Sequence, residues 1–236
     1  MKEYLRILET GSKKLGTVLT DHQVSQFDTY LKQLRIFSEK FNLTAITQRS
    51  EIVKKHFLDS LSVLTTKCVL PGKSLLDIGA GAGLPGLALK IVLPGLKLTL
   101  LEANKKKSNF LDHITKELKL EDAEVINMRA EEFAKTAGRV KFDLVITRAL
   151  ASLPVNLEYA MPALKVGGYY LAMKGNLAKE PATNNACDEL CCSLIESKKL
   201  HVPYVEGQRN IVIFRKEKET PSKYPRRTGK PSKYPL

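Results

Sequence analysis

Apolar side chains set two different rhythms along this chain. Behind Thr20-Asp21-His22-Gln23, the residues Phe27, Tyr30, Leu31, Leu34 and Phe37 recur every three or four positions, the spacing of one buried helix face. Thr20 and Gln23 stand at capping-box spacing, the hydroxyl placed for one orphan amide and the Gln side chain for another. Residues 41–46 break the period and read as a connector. From Ser50 a second stripe, Val53, Phe57, Leu61 and Leu64, carries His56 and Asp59 beside it. Residues 1–65 thus form a helical N-terminal subdomain in this reading.

From residue 73 the runs shorten and become β-rich. Strands are predicted over 74–78, 96–101, 123–127, 142–147 and 169–173, with helices up to residue 91 and over 106–118. A helix over about 185–197 and strands near 200–205 and 210–214 complete the pattern. Such alternation predicts an α/β fold, a doubly wound, mostly parallel Rossmann-like sheet covered on both faces. The last two strands lack a helix between them, which predicts a hairpin with one antiparallel strand at the sheet edge. The sheet domain spans 66–216, and 217–236 form a tail.

Composition adds charge to this picture. The 38 Lys and Arg against 25 Asp and Glu give +13, which suits a polyanionic partner. At 43% hydrophobic and 27% charged residues, fibrous and wholly disordered classes are excluded. No apolar run approaches the ~20 residues of a membrane span, and the charged start has no apolar signal core, so a cytoplasmic protein without membrane attachment is expected. The four cysteines form no C-x-x-C pair and have no His at zinc-finger spacing, so no metal is expected. The tail repeats Pro-Ser-Lys-Tyr-Pro around Arg226-Arg227-Thr228-Gly229-Lys230. Its four prolines oppose helix and central strand, which predicts an extended, mobile arm whose cations pair with phosphate and whose Tyr rings stack on bases. Its distance in sequence from the glycine-rich run at residues 77–86 predicts that the tail serves a nucleic acid and not a ligand held by that run.

The strongest local signal is Asp77-Ile78-Gly79-Ala80-Gly81-Ala82-Gly83-Leu84-Pro85-Gly86. Glycines directly after a strand let the backbone turn sharply and a ligand approach closely. One register, Gly81-x-Gly83-x-x-Gly86 with Glu102 at the end of strand two, fits a dinucleotide fingerprint. The other begins on Asp77, whose carboxylate would repel a pyrophosphate but suits the cationic methionine end of S-adenosylmethionine. After strand three Ala130-Glu131 are placed for an adenine, and after strand four Arg148 stands at the carboxyl edge where open α/β sheets carry ligands. There is no Asn/Asp-Pro-Pro-aromatic turn after strand four, as amino methyltransferases have, and the 187, 191 and 192 cysteines lie away from that edge. An acceptor with a free lone pair, or a hydroxyl, remains.

Several of these motifs together, with Asn42-Leu43-Thr44-Ala45-Ile46, His56-Phe57-Leu58-Asp59-Ser60-Leu61, Arg129-Ala130-Glu131, Thr147-Arg148-Ala149 and the Lys223-Tyr224-Pro225-Arg226-Arg227 tail, resemble the bacterial small-subunit ribosomal RNA methyltransferase G family, also called glucose-inhibited division protein B. The resemblance runs nearly the whole length. It implies methyl transfer from S-adenosylmethionine to N7 of one guanine in the decoding-region loop of 16S rRNA, guanine-527 in standard rRNA numbering. It also implies cofactor contacts at Gly79, Leu84, Ala130, Glu131 and Arg148. The expected cofactor set is completed by Asp77, Gly81, Gly83 and Glu102; Arg148, Arg226, Arg227, His56 and Lys174 are the expected RNA contacts. No residue is expected to act as a general base, because guanine N7 carries no proton. Where the family commonly shows Asp-Ser, this chain has Glu102-Ala103, which keeps the carboxylate and loses the hydroxyl. The expected partner is 16S rRNA or the small-subunit particle, engaged by a monomer. A non-catalytic ribosome-assembly factor, a 2′-O-methyltransferase and an NAD-dependent oxidoreductase stand as alternatives.

Overall fold

The computed structural model describes residues 2–236. Helices α1 (Glu3–Lys14) and α2 (Asp21–Lys40) lead the chain, and the Thr20–Gln23 capping box forms as its spacing predicts. The Gln23 amide also donates to the carbonyls of Ile91 and Val92, tying the start of α2 to the sheet domain. After the connector, α3 (Arg49–Ile52) runs into a π-helical stretch, Val53–Leu58, and then α4 (Asp59–Leu61).

Strands β1 (Ser74–Ile78), β2 (Lys97–Leu101), β3 (Ala123–Ile126), β4 (Phe142–Arg148), β5 (Leu164–Lys174), β6 (Cys192–Leu200) and β7 (Arg209–Lys216) form one sheet in the order β3-β2-β1-β4-β5-β7-β6. The first five pair in parallel, and β7 is antiparallel to both neighbours. The hairpin is present, but its reversed strand is inserted between β5 and β6 and does not lie at the edge. Helices α5 (Gly86–Val92) and α6 (Lys105–Glu117) follow β1 and β2, and the short α7 (Ala130–Phe133) follows β3.

Alternation along β1 assigns each side chain to one face. Leu75 joins Phe27, Tyr30, Leu34, Phe57 and Leu87 in the core beneath the N-terminal helices. Leu76 and Ile78 join Val145, Tyr170 and Tyr224 in the core on the other face. That second core is completed by α8 (Leu153–Ala160) and α9 (Asn184–Leu190). All eight residues of α8 are buried, so it has no polar face and no amphipathic period to read. The helix expected over 185–197 ends at Leu190: Cys191 turns left-handed at φ 58° and the chain enters β6. Residues 201–205 are turn, not strand. Among the described residues no helix is long and apolar enough to cross a membrane.

The tail departs furthest from expectation. It is folded onto the α8 side, with Tyr224 buried in the second core. It contains a helical turn, α10 (Lys230–Lys233). Pro231 sits in its first turn, where the missing N–H costs nothing. The Arg139 guanidinium holds the carbonyls of Thr220 and Tyr224 at 2.6 and 2.9 Å.

Candidate active site

The sheet reverses its winding between β1 and β4, the position at which open α/β sheets form a ligand crevice beyond their carboxyl ends. The glycine loop opens there. Gly79 and Ala80 donate their amides to the Leu101 carbonyl at 2.9 and 3.1 Å, and the Gly81 amide donates to Glu102 Oε2 at 2.9 Å. Glu102 Oε1 takes the Asn104 amide at 2.7 Å. A Cβ on Gly81 would meet nothing closer than the Gly79 carbonyl at 3.7 Å, and its φ is +58°; this open face is where a ligand can lie against backbone. From the helical layer, the buried Tyr30 hydroxyl donates to the Ala82 carbonyl at 2.6 Å, and burial raises its pKa well above that of a free phenol.

Asp77 holds the loop from behind. Its Oδ2 accepts the Gly86 amide at 2.8 Å, and a Cβ on Gly86 would sit 2.8 Å from that oxygen, so only glycine fits. Oδ1 is buried without a partner. Burial pushes the carboxyl up to about 7. Asp77, Gly83 and Leu84 stand behind the cavity beyond the loop and shape the loop, with Leu84 packed into the core.

That cavity, about 500 Å³, is walled by Gly79, Gly81, Glu102 and Ala103 on the β1–β2 side. Ala130 and Glu131 line its β3 side, and Ala149 and Leu150 its β4 side. The volume lies in the range of small-molecule sites. S-adenosylmethionine fits this donor set: buried Glu102 for a ribose diol, the open Gly81 backbone for the methionine end, and the apolar Met128 with Glu131 for the adenine. Sequence reasoning missed Lys107, Tyr159, Thr228, Gly229 and Ser232, which also line it. The last three belong to the tail, which the structure brings to the rim of this cavity although it lies far from the glycine loop in sequence.

A second cavity, about 510 Å³, adjoins the first and shares Ala149 with it. It gathers His56, Arg148 and Lys174, three of the five expected RNA contacts, and adds Asp59, Glu180 and Arg209. Asp59 bridges two guanidiniums, with Oδ2 at 3.0 Å from Arg148 Nη1 and Oδ1 at 3.0 Å from Arg209 Nε. His56, on the π-helical stretch, contacts Arg148 Nη2 through Nδ1 at 3.3 Å and Thr44 Oγ1 through Nε2 at 2.7 Å. Burial first, and then Arg148, lower its pKa to about 4, so it is neutral near pH 7. Arginine can only donate; Nδ1 therefore accepts and Nε2 carries the proton toward Thr44. Nδ1 also lies 3.2 Å from the Lys55 carbonyl, a contact this tautomer does not make as a hydrogen bond. Lys174 Nζ donates to the Ala151 carbonyl and to Glu180 Oε1 at 2.8 Å, and Glu180 Oε2 takes the Leu153 amide.

Arg226 and Arg227 are not brought to this cavity. Arg227 is exposed. Arg226 is turned inward: its Nε and Nη2 grip the fully buried carboxylate of Glu158 at 2.5–3.0 Å.

The sequence model described as GidB, rRNA small subunit methyltransferase G, matches residues 23–212. The ribosomal RNA small subunit methyltransferase G of Alkaliphilus metalliredigens is 42% identical over 233 residues, covering 98% of each chain. That of Caldanaerobacter subterraneus is 43% identical over 225 residues, covering 94% of each. A crystal structure of a SAM-dependent methyltransferase from Aquifex aeolicus shares the fold, with TM-score 0.54 and 16% identity over 70% of this chain and 93% of that one. With its mostly parallel sheet, its glycine loop and this kinship over nearly its whole length, the chain belongs to the rRNA small subunit methyltransferase G family.

Proposed function

We propose that the chain methylates N7 of one guanine in the decoding-region loop of 16S rRNA, guanine-527 in standard rRNA numbering, as a cytoplasmic monomer. It is a methyltransferase that uses S-adenosylmethionine and acts on small-subunit rRNA. The cofactor supplies an electrophilic methyl group on a sulfonium. Glu102, Ala130, Glu131, Gly79 and Gly81 hold it in the first cavity. Arg148, His56, Arg209 and Lys174 surround the target base in the second, and Ala149 marks the border where base and cofactor meet. The exposed cations of the tail, Arg227 among them, hold phosphate. The division into residues 1–65, 66–216 and 217–236 describes a helical cap, a catalytic domain and a tail.

The observation that carries the choice of N7 is that every basic group of the second cavity is already engaged. Both Asp59 oxygens face arginines, both Glu180 oxygens hold donors, and Lys174 Nζ is bound to a carboxylate and a carbonyl. His56 Nδ1 accepts from Arg148. Taking a proton from a hydroxyl would cost Asp59 or Glu180 its ion pairing, or His56 its contact with Arg148. Such a cavity supports an acceptor that has a lone pair and no proton to lose. The chain then has to align nitrogen, methyl carbon and sulfur, about 3–3.5 Å apart at the start, and exclude water. Calorimetry with S-adenosylmethionine and with NADH tests the cofactor: binding of the first alone supports the reading, and binding of NADH in preference overturns it.

A further inference from the structure

We infer that tail residues 228–232 are a built part of the cofactor site, held over its nucleoside end by the Glu158–Arg226 pair, so that Arg226 is a positioning residue for cofactor binding. The inference rests on the reading of the first cavity as the S-adenosylmethionine site.

The tail arrives at that cavity by specific contacts. Glu158 on α8 is 0% exposed and accepts from Arg226 four times: from the backbone amide, twice from Nε, and from Nη2. Among the described residues Arg226 supplies every donor to this buried carboxylate, so the docked tail is what pairs its charge. The fold of α8 is therefore matched to a docked tail. Beyond Arg226 the chain follows the cavity rim. The Gly229 amide donates to Glu131 Oε1 at 3.0 Å, and the Ser232 and Tyr159 hydroxyls meet at 2.9 Å.

Glu131 is the pivot. One carboxylate lines the cavity on the β3 side and fixes the Gly229 backbone. Thr228, Gly229 and Ser232 complete the wall next to it. The half of the ligand that meets this wall is the nucleoside, so S-adenosylmethionine and S-adenosylhomocysteine should sense the tail alike. Arg227, Lys230 and Lys233 remain exposed on the same segment, leaving its outer side for phosphate.

Hydrogen exchange of the full chain, with and without saturating S-adenosylhomocysteine, tests this without a mutation. Exchange over 226–234 is expected to slow at least tenfold on binding. Slowing confined to the glycine loop and residues 102–104 would overturn the inference. In calorimetry, Arg226→Ala is expected to weaken S-adenosylmethionine at least tenfold, with Arg226→Lys recovering part of the loss. An affinity within twofold of wild type in a folded Arg226→Ala protein would overturn the positioning role. So would an RNA salt slope flatter by ~0.7, the mark of one lost single-strand phosphate contact, with cofactor affinity unchanged. Failure of wild type to bind S-adenosylmethionine would instead remove the cofactor reading itself, and this inference with it.

Discussion

Asp77→Asn is the perturbation whose size follows most directly from the structure. The carboxyl is 1% exposed, one oxygen has no partner, and burial raises its pKa from 3.8 to about 7. A raised carboxyl stabilises the fold fully only below its unfolded pKa, and that contribution is lost as pH rises through the folded pKa. Over the interval between them the unfolded chain binds about one proton fewer, so this residue lowers stability by about 1.4 kcal/mol per pH unit. The total reaches on the order of 4 kcal/mol above pH 7. Asn keeps an acceptor for the Gly86 amide and removes the charge. Its amide N–H₂ adds an offset that does not vary with pH. His56 slopes the other way: its pKa is lowered to about 4, and its contribution, present above about 6.5, is lost as pH falls through 4. It does so in both proteins and cancels in the difference. Thermal and urea melts of ligand-free protein should show the variant gaining on wild type by about 2–3 kcal/mol between pH 5 and 8, about 5–10 °C in Tm at this chain length. A constant difference across that range would refute a buried, uncompensated Asp77.

Three further expectations concern the second cavity and the tail. With saturating cofactor and RNA, single-turnover methyl transfer should stay nearly flat from about pH 6.5 to 8.5, because His56 is already neutral throughout; a tenfold rise per pH unit would return a deprotonating base and 2′-hydroxyl methylation. Asp59→Asn releases Arg148 and Arg209 from one anchor, so RNA methylation should fall at least tenfold, about the 1.5–3 kcal/mol of a charge-assisted contact, while calorimetry finds S-adenosylmethionine affinity unchanged. Arg227→Ala with Lys230→Ala should flatten the log K against log salt slope for RNA by ~1.4, about 0.7 per contact, and filter binding across a salt series would expose an unchanged slope.

How much of this was legible in the sequence differs by element. The glycine loop and its flanking strands were readable because backbone demands fall on consecutive residues, and the capping box because both partners lie within one turn. Helix α8 was not, since a helix buried all round has no periodic polar face. The α9–β6 boundary turns on a left-handed Cys191, a conformation that few cysteines adopt and composition does not announce. Gly79, Gly81, Glu102, Ala130 and Glu131 could be placed at strand ends from the sequence, and the structure brings them together around one cavity. Arg209 was missed because Asp59, which anchors it, is 150 positions away. The tail was misplaced for the same reason. Its charge was plain in the sequence, but Glu158, 68 positions earlier, carries no mark that it is buried and awaiting a guanidinium.

The central claim is methyl transfer to a guanine N7. Incubating the purified chain with methyl-labelled S-adenosylmethionine and small-subunit rRNA that lacks the modification, then resolving the nucleosides by mass spectrometry, tests it most directly. The account predicts label in 7-methylguanosine at one residue per rRNA, mapping to the decoding-region loop. Label in a 2′-O-methyl nucleoside, or no transfer by a protein that binds the cofactor, would contradict it.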